Sequence, residues 1–167
     1  MIILALGSNL SSDLGSSKEI LKLCIKDLPN FNIQVLKQSN FYKTKAFPNE
    51  NDPAFINCAI SIETSYSPID LMYFILKLEK KFGRIRNKIN EPRTCDIDII
   101  DFNKKKISFS SKDFKLEIPH PRFENRNFVL FPIKDLDSEW VSPLSGKSIN
   151  QLIEELEVKS KNNITKV

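Results

Sequence analysis

The sequence has few of the residues from which most metal and redox centres are built. Only one histidine, His120, and three widely separated cysteines, Cys24, Cys58 and Cys95, occur in its 167 residues. That excludes a multi-histidine metal centre, so any bound metal is expected to have oxygen ligands. The cysteines are odd in number and sit in apolar contexts, which fits buried free thiols better than a disulfide framework. Glycine is also scarce, with four positions and no G-x-x-x-x-G-K-[ST] phosphate loop, dinucleotide fingerprint or kinase-type glycine-rich loop. A nucleotide would have to be held by other means. No apolar run approaches the roughly 20 residues of a membrane span, and the apolar start at Met1 lacks the basic flank of a signal peptide. A cytoplasmic protein without a membrane partner is expected. Fixed-period repeats and low-complexity segments are missing as well.

What is present suffices for one hydrophobic core. With 41% hydrophobic residues, the chain is expected to form a single domain over residues 1–167 without disulfides. Residues 2–6 form an apolar run ending at Gly7-Ser8-Asn9, read as a buried strand and turn. Ile20, Leu21, Cys24, Ile25 and Leu28 recur at helical spacing until Pro29. Residues 33–43 and 55–64 read as strands, joined by a long polar loop over 45–53. Ser67-Pro68-Ile69-Asp70 combines an N-cap serine, a proline at the first helical position and an acid in the first turn. The helix it starts has Leu71, Phe74, Ile75, Leu78 and Phe82 on one face and stops at Gly83. A second polar loop, 84–94, leads into a strand over 95–102. Residues 103–106 read as a turn before Ile107, and Ser148 with Gln151 forms a capping box for a last helix. The tail beyond Lys159 is expected to fray. The order through residue 102 is βαββαβ, an α+β, ferredoxin-like core with helices on one face of a mostly antiparallel sheet, followed by a C-terminal extension.

Asp96 and Asp98 are two apart on a strand, so their carboxylates leave the same face. Taken alone, that pair is compatible with solvated acids, with structural pairing to arginine, or with a metal site. Arg84, Arg86 and Arg93 lie just before it in sequence. Guanidinium forks suit phosphate oxygens, and Mg²⁺ takes a few carboxylates plus phosphate and water. Phosphoryl transfer needs both kinds of group, although a solvated basic loop remains open on these residues alone. Pro119-His120-Pro121-Arg122 and Asn125-Arg126-Asn127-Phe128 place the lone histidine beside two more arginines and an aromatic ring. The net charge of +4 is compatible with an anionic partner without requiring one.

These motifs, in this order, resemble the 6-hydroxymethyl-7,8-dihydropterin pyrophosphokinases of folate biosynthesis. The resemblance spans about residues 3 to 150: Leu6-Gly7-Ser8-Asn9-Leu10, Ser39-x-Phe41-Tyr42-x-Thr44, Phe55-Ile56-Asn57, Glu79-x-x-x-Gly83-Arg84-x-Arg86, Pro92-Arg93-x-x-Asp96-x-Asp98-Ile99, Pro119-His120-Pro121-Arg122, and Asn125-Arg126-x-Phe128. It implies a diphosphotransferase that moves pyrophosphate from ATP to the pterin hydroxymethyl group and releases AMP. By resemblance, Asp96 and Asp98 bind two Mg²⁺ ions, and Arg84, Arg86 and Arg93 join them as catalytic residues. Those arginines with Glu79, Ile99, Lys115, His120 and Arg126 form the ATP side. Thr44, Phe47, Phe55, Asn57 and Phe128 form the pterin side, above a floor of Gly7 and Asn9. The partners implied are small molecules, and a monomer is expected. The sequence departs from the family pattern at Ile89-Asn90-Glu91, which lacks a common tryptophan and glycine in a loop one residue shorter, and at Phe55, which replaces a common tyrosine. Two other classes fit parts of the pattern: a basic sheet protein that binds RNA, disfavoured by carboxylates on a strand face, and a regulatory domain that binds nucleotide without turnover.

Overall fold

The central strand β1 (Ile2–Ser8) is buried nearly throughout, which accounts for its unbroken apolar run. The computed structural model describes residues 1–46, 49–84 and 91–167. Strand β1 lies between β4 (Phe55–Thr64) and β5 (Asp96–Phe102), antiparallel to both. The far edge of β4 carries β2 (Ile33–Gln38) and β3 (Tyr42–Thr44), again antiparallel. Helix α1 (Ser17–Asp27) joins β1 to β2, and α2 (Pro68–Lys81) joins β4 to β5. With β2 and β3 in the place of one strand, this is the expected ferredoxin-like βαββαβ core.

Local chemistry fixes the helix ends, at α2 as anticipated and at α1 through a cap that the sequence reading did not name. Ser16 and Glu19 form a capping box at α1, the Ser67 side chain accepts from the Asp70 amide at 3.2 Å at α2, and Gly83 follows α2 with φ of +85°. Beyond the core, Asn103 and Lys104 turn the chain with positive φ into a hairpin of β6 (Ile107–Ser110) and β7 (Lys115–Ile118).

Four features differ from the sequence reading. Residues 33–43 are not one strand, because Ser39–Phe41 breaks the ladder. The Asn40 amide and side chain both donate to Asp135, and the Ser39 hydroxyl accepts from the Ala59 amide at 2.9 Å. A helix unanticipated from sequence, α3 (Asn127–Leu136), contains Pro132, which obscured it. Helices also cover both faces of the sheet. Leu4, Leu6, Ile97 and Ile99 pack with α1 and α2, whereas Ile3, Ala59 and Ile100 pack with α3 and with α4 (Ile149–Glu155), the helix expected after Ser148. Finally, the tail does not fray: α5 (Val158–Asn162) leads into β8 (Ile164–Lys166), which extends the sheet beyond β3. Cys24, Cys58 and Cys95 are free and buried. Among the described residues no helix is long and apolar enough to cross a membrane.

Candidate active site

Register across the sheet brings the candidate residues together. Gly7 lies opposite Asp96 on one side and Asn57 on the other, and Ala5 lies opposite Asp98 and Ala59. These residues share the face covered farther along by α3 and α4, where Ile3 and Ile100 sit in the core. Two small residues on β1 keep that face low between the aspartates and Asn57. A Cβ at Gly7 would lie 3.0 Å from the Asn57 Oδ1 and 3.7 Å from the Phe55 ring, so any larger residue would press on the Asn57 side chain.

Asp96 is gripped from two sides. Arg84, following α2, bridges the Glu79 and Asp96 carboxylates, and the Arg93 guanidinium meets the other Asp96 oxygen at 2.7 Å. Glu79 is only 1% exposed and also accepts from the Ile97 amide at 2.9 Å, which ties the end of α2 to β5. Asn9 locates Arg93: its Oδ1 accepts from the Arg93 amide at 2.7 Å, its own amide donates to the Arg93 carbonyl at 3.0 Å, and its Nδ2 donates to Pro53 at 3.0 Å. Arg93 then lies 5.1 Å from the centre of the Phe55 ring. Its buried Nε has no hydrogen-bond partner among the described residues.

Asp98 is in a different state. Its counter-charge, Arg126, is 3.6 Å away, beyond hydrogen-bonding distance, and its side chain is 34% exposed. Burial, then the neighbouring Asp96 charge, push its carboxyl up to about 7. For Asp96, burial acts in the same upward direction, but the Arg84 and Arg93 guanidiniums outweigh it and hold the carboxyl below its ordinary value. The strand therefore carries one neutralised and one under-compensated carboxylate.

The remaining candidates flank this pair. Asn57 donates to the buried Thr44 hydroxyl at 3.0 Å, placing a fixed polar edge beside Gly7. Phe128, in the first turn of α3, is half-buried, with Arg126 stacked 5.5 Å from its ring centre. On the other side of β5, a cleft of about 240 Å³ is lined by Met72, Asp98, Ile99, Lys115, Leu116 and His120. Asp98 thus borders both the open sheet face and this cleft. His120 accepts from the Arg122 amide at 3.1 Å through Nδ1; burial, then Arg126 and Arg122, push its pKa down to about 4, so the ring is neutral near pH 7. Lys115 is exposed and pairs with Glu117 at 2.5 Å. A larger hollow of about 370 Å³, between Lys106, Pro119 and Leu144, contains neither aspartate.

Most of the residues singled out from sequence therefore lie around β5, Gly7 and the start of α3. Arg86 and Phe47 lie outside the described residues. Two contributions were not visible in sequence. Glu79, expected on the ATP side, is also buried and joins Arg84 to the Ile97 amide, and the Pro53 carbonyl helps hold Asn9. The spacing of Glu79 to Arg84 hinted at the first, whereas a backbone carbonyl leaves no signal.

The fold and cluster define a ferredoxin-like α+β domain whose open sheet face carries an acid and arginine centre. The chain belongs to the 7,8-dihydro-6-hydroxymethylpterin-pyrophosphokinase (HPPK) family, whose model matches residues 3–138. It is 38% identical over 125 residues to a 2-amino-4-hydroxy-6-hydroxymethyldihydropteridine pyrophosphokinase of Synechocystis sp., covering 75% of this chain and 62% of that one. A Haemophilus influenzae protein of the same name is 33% identical over 152 residues, covering 91% and 90%. The chain spans only 20% of a Pneumocystis carinii folic acid synthesis protein to which it is 34% identical over 148 residues. Wild-type Plasmodium falciparum HPPK-DHPS shares the fold, with a TM-score of 0.71 at 14% identity over 99% of this chain and 47% of that one.

Proposed function

We propose that the chain is a pterin pyrophosphokinase, transferring the β,γ-pyrophosphoryl group of ATP to the hydroxymethyl oxygen of 6-hydroxymethyl-7,8-dihydropterin, with AMP as the other product. The observation that carries this reading is the unequal aspartate pair. Asp98 is an oxygen donor short of positive charge, directly beside arginines that can meet phosphate. Its donor chemistry fits Mg²⁺, which accepts one or two carboxylates and completes its shell with phosphate and water. Asp98 and Asp96 would hold the two ions, whose chemistry is to neutralise the charge of the phosphates.

The protein's own residues would supply position and field. Arg84 and Arg93, held by Glu79 and Asn9, present preorganised positive charge to the migrating phosphates. Arg86 is assigned the same role by its place in the motif. Arg126 and the neutral His120 flank the triphosphate, with Ile99 and Lys115 in the cleft for the remainder of the nucleotide. The Asn57 and Thr44 edge reads the pterin ring, Phe128 stacks on it, and Phe55 with Phe47 forms the opposite wall. Attack of the hydroxymethyl oxygen on the β-phosphorus breaks the bond to the α-phosphate oxygen, so alignment and charge compensation do most of the catalysis. We also infer that residues 1–167 act as one cytoplasmic, monomeric domain on small molecules rather than nucleic acid. Closure of loops 45–52 and 84–94 over substrate concerns a region partly outside the described residues.

The test is incubation of the purified chain with ATP, Mg²⁺ and 6-hydroxymethyl-7,8-dihydropterin. The expected products are AMP and the pterin diphosphate in equal amounts. AMP release no greater than that of Asp98→Ala would overturn the enzyme reading and leave a nucleotide-binding domain.

A further inference from the structure

Residues 157–167 lie beyond the stretch matched by the family model, yet they bond both to β3, which carries the Thr44 edge assigned to the pterin, and to Asn127, next to the Phe128 wall. Strand β8 pairs with β3 so that Ile164 faces Thr44, and the Val167 amide donates to Phe41 at 2.9 Å. Helix α5 approaches the other wall. Asn127, 7% exposed at the start of α3, donates from Nδ2 to the Ser160 carbonyl at 2.6 Å. The immediate neighbours of Asn127 are Arg126, paired with Asp98, and Phe128. A third, looser link joins Lys159 to Glu50 at 3.9 Å, on the polar loop after β3.

We propose that residues 157–167 form a brace across the pterin pocket, with Asn127 as the positioning residue that couples it to Phe128. The inference rests on the pyrophosphokinase reading and adds to it a determinant of pterin affinity. The geometry gives the reason. Thr44 is on a three-residue strand that would otherwise be the sheet edge, and Phe128 is in the first turn of a helix whose N-cap, Arg126, makes no side-chain capping bond. Each wall is weakly held by its own element, and one segment bonds to both elements. Loosening the brace widens the gap between Thr44 and Phe128, which weakens pterin binding while ATP, on the Ile99 and His120 side, binds as before.

Asn127→Asp is the discriminating variant. It preserves shape, and a carboxylate in the first turn suits the helix dipole, but it cannot donate to the Ser160 carbonyl. Asn127→Asp and a chain lacking residues 157–167 are expected to raise the pterin KM about tenfold, the scale of one lost hydrogen bond, with ATP KM and kcat within about twofold. Fluorescence titration of the pterin in the presence of Mg²⁺ and α,β-methylene ATP should show the same loss in Kd. A wild-type pterin KM in both variants, or an equal rise for pterin and ATP, overturns the brace. If the parent chain releases no AMP, the enzyme reading fails by itself, and hydrogen exchange decides the coupling. Amides 164–166 and 127–130 should exchange faster in Asn127→Asp, and unchanged exchange there rejects the inference.

Discussion

The sheet face beneath α3 is built differently at its two ends. At one end Ile3, Ala59 and Ile100 interlock with Val129, Leu130 and Ile133, all at most 1% exposed. At the other, two to four residues along the same strands, Gly7 and Asn57 stand beside Asp96 and Asp98, with charged partners in place of aliphatic ones. The apolar end supplies stability through burial, which grows with area and is indifferent to direction. The polar end concentrates like charges that are only partly compensated, an arrangement that a folded protein tolerates where a ligand completes it. Substitutions at the two ends should therefore separate stability from activity.

The largest effect is expected from Asp98→Ala, which removes the under-compensated carboxylate: turnover should fall by about a thousandfold or more, with the melting temperature unchanged or raised. A large drop in thermal stability would instead assign Asp98 a structural role. At the opposite end, Leu130→Ala should cost about 2–5 kcal/mol in urea unfolding through lost burial and a cavity, while the folded fraction keeps its kcat. If kcat falls with stability, the two ends are coupled and the contrast fails.

A finer probe is Gly7→Ala. The added methyl would press on the Asn57 Oδ1, and relieving such overpacking costs about 1–3 kcal/mol, so pterin KM should rise while ATP KM stays near the parent value. Comparable rises in both constants would show that Gly7 belongs to the metal and phosphate region instead.

The smallest effect concerns pH. His120 has a folded pKa of about 4, below its ordinary value of 6.5, so the unfolded chain binds the extra proton first. Its contribution to stability is present above pH 6.5 and is lost as pH falls towards 4. Asp98, raised to about 7, has the opposite sign over much of this window, so the two partly cancel in the parent protein. Comparing His120→Asn with the parent isolates the first contribution: the variant should lose less stability on acidification from pH 7 to 4.5. Equal losses would place the neutral histidine's origin elsewhere.

Strands β1, β4 and β5 and helices α1 and α2 were readable because their burial patterns repeat every two or 3.6 residues and their caps are local. Helix α3 was hidden by Pro132, and the break at Ser39–Phe41 by side chains that bond to Asp135 and Ala59 far away in sequence. The tail looked prone to fray because its polar residues cannot show that β3 offers an unpaired edge. For the site, the sequence marked Asp96, Asp98, Arg84 and Arg93 as a group but could not say which acid each arginine meets.

By itself, then, the sequence determined the α+β order, the family and the presence of two strand carboxylates among arginines, because these depend on residue type and spacing. Tertiary structure decided that Asp96 is neutralised by Arg84 and Arg93 while Asp98 is left under-compensated, that Glu79 joins Arg84 to the Ile97 amide, and that residues 157–167 bridge β3 and α3. Those outcomes depend on distances between segments far apart in the chain, and charge compensation falls off too steeply with distance for composition to reveal it.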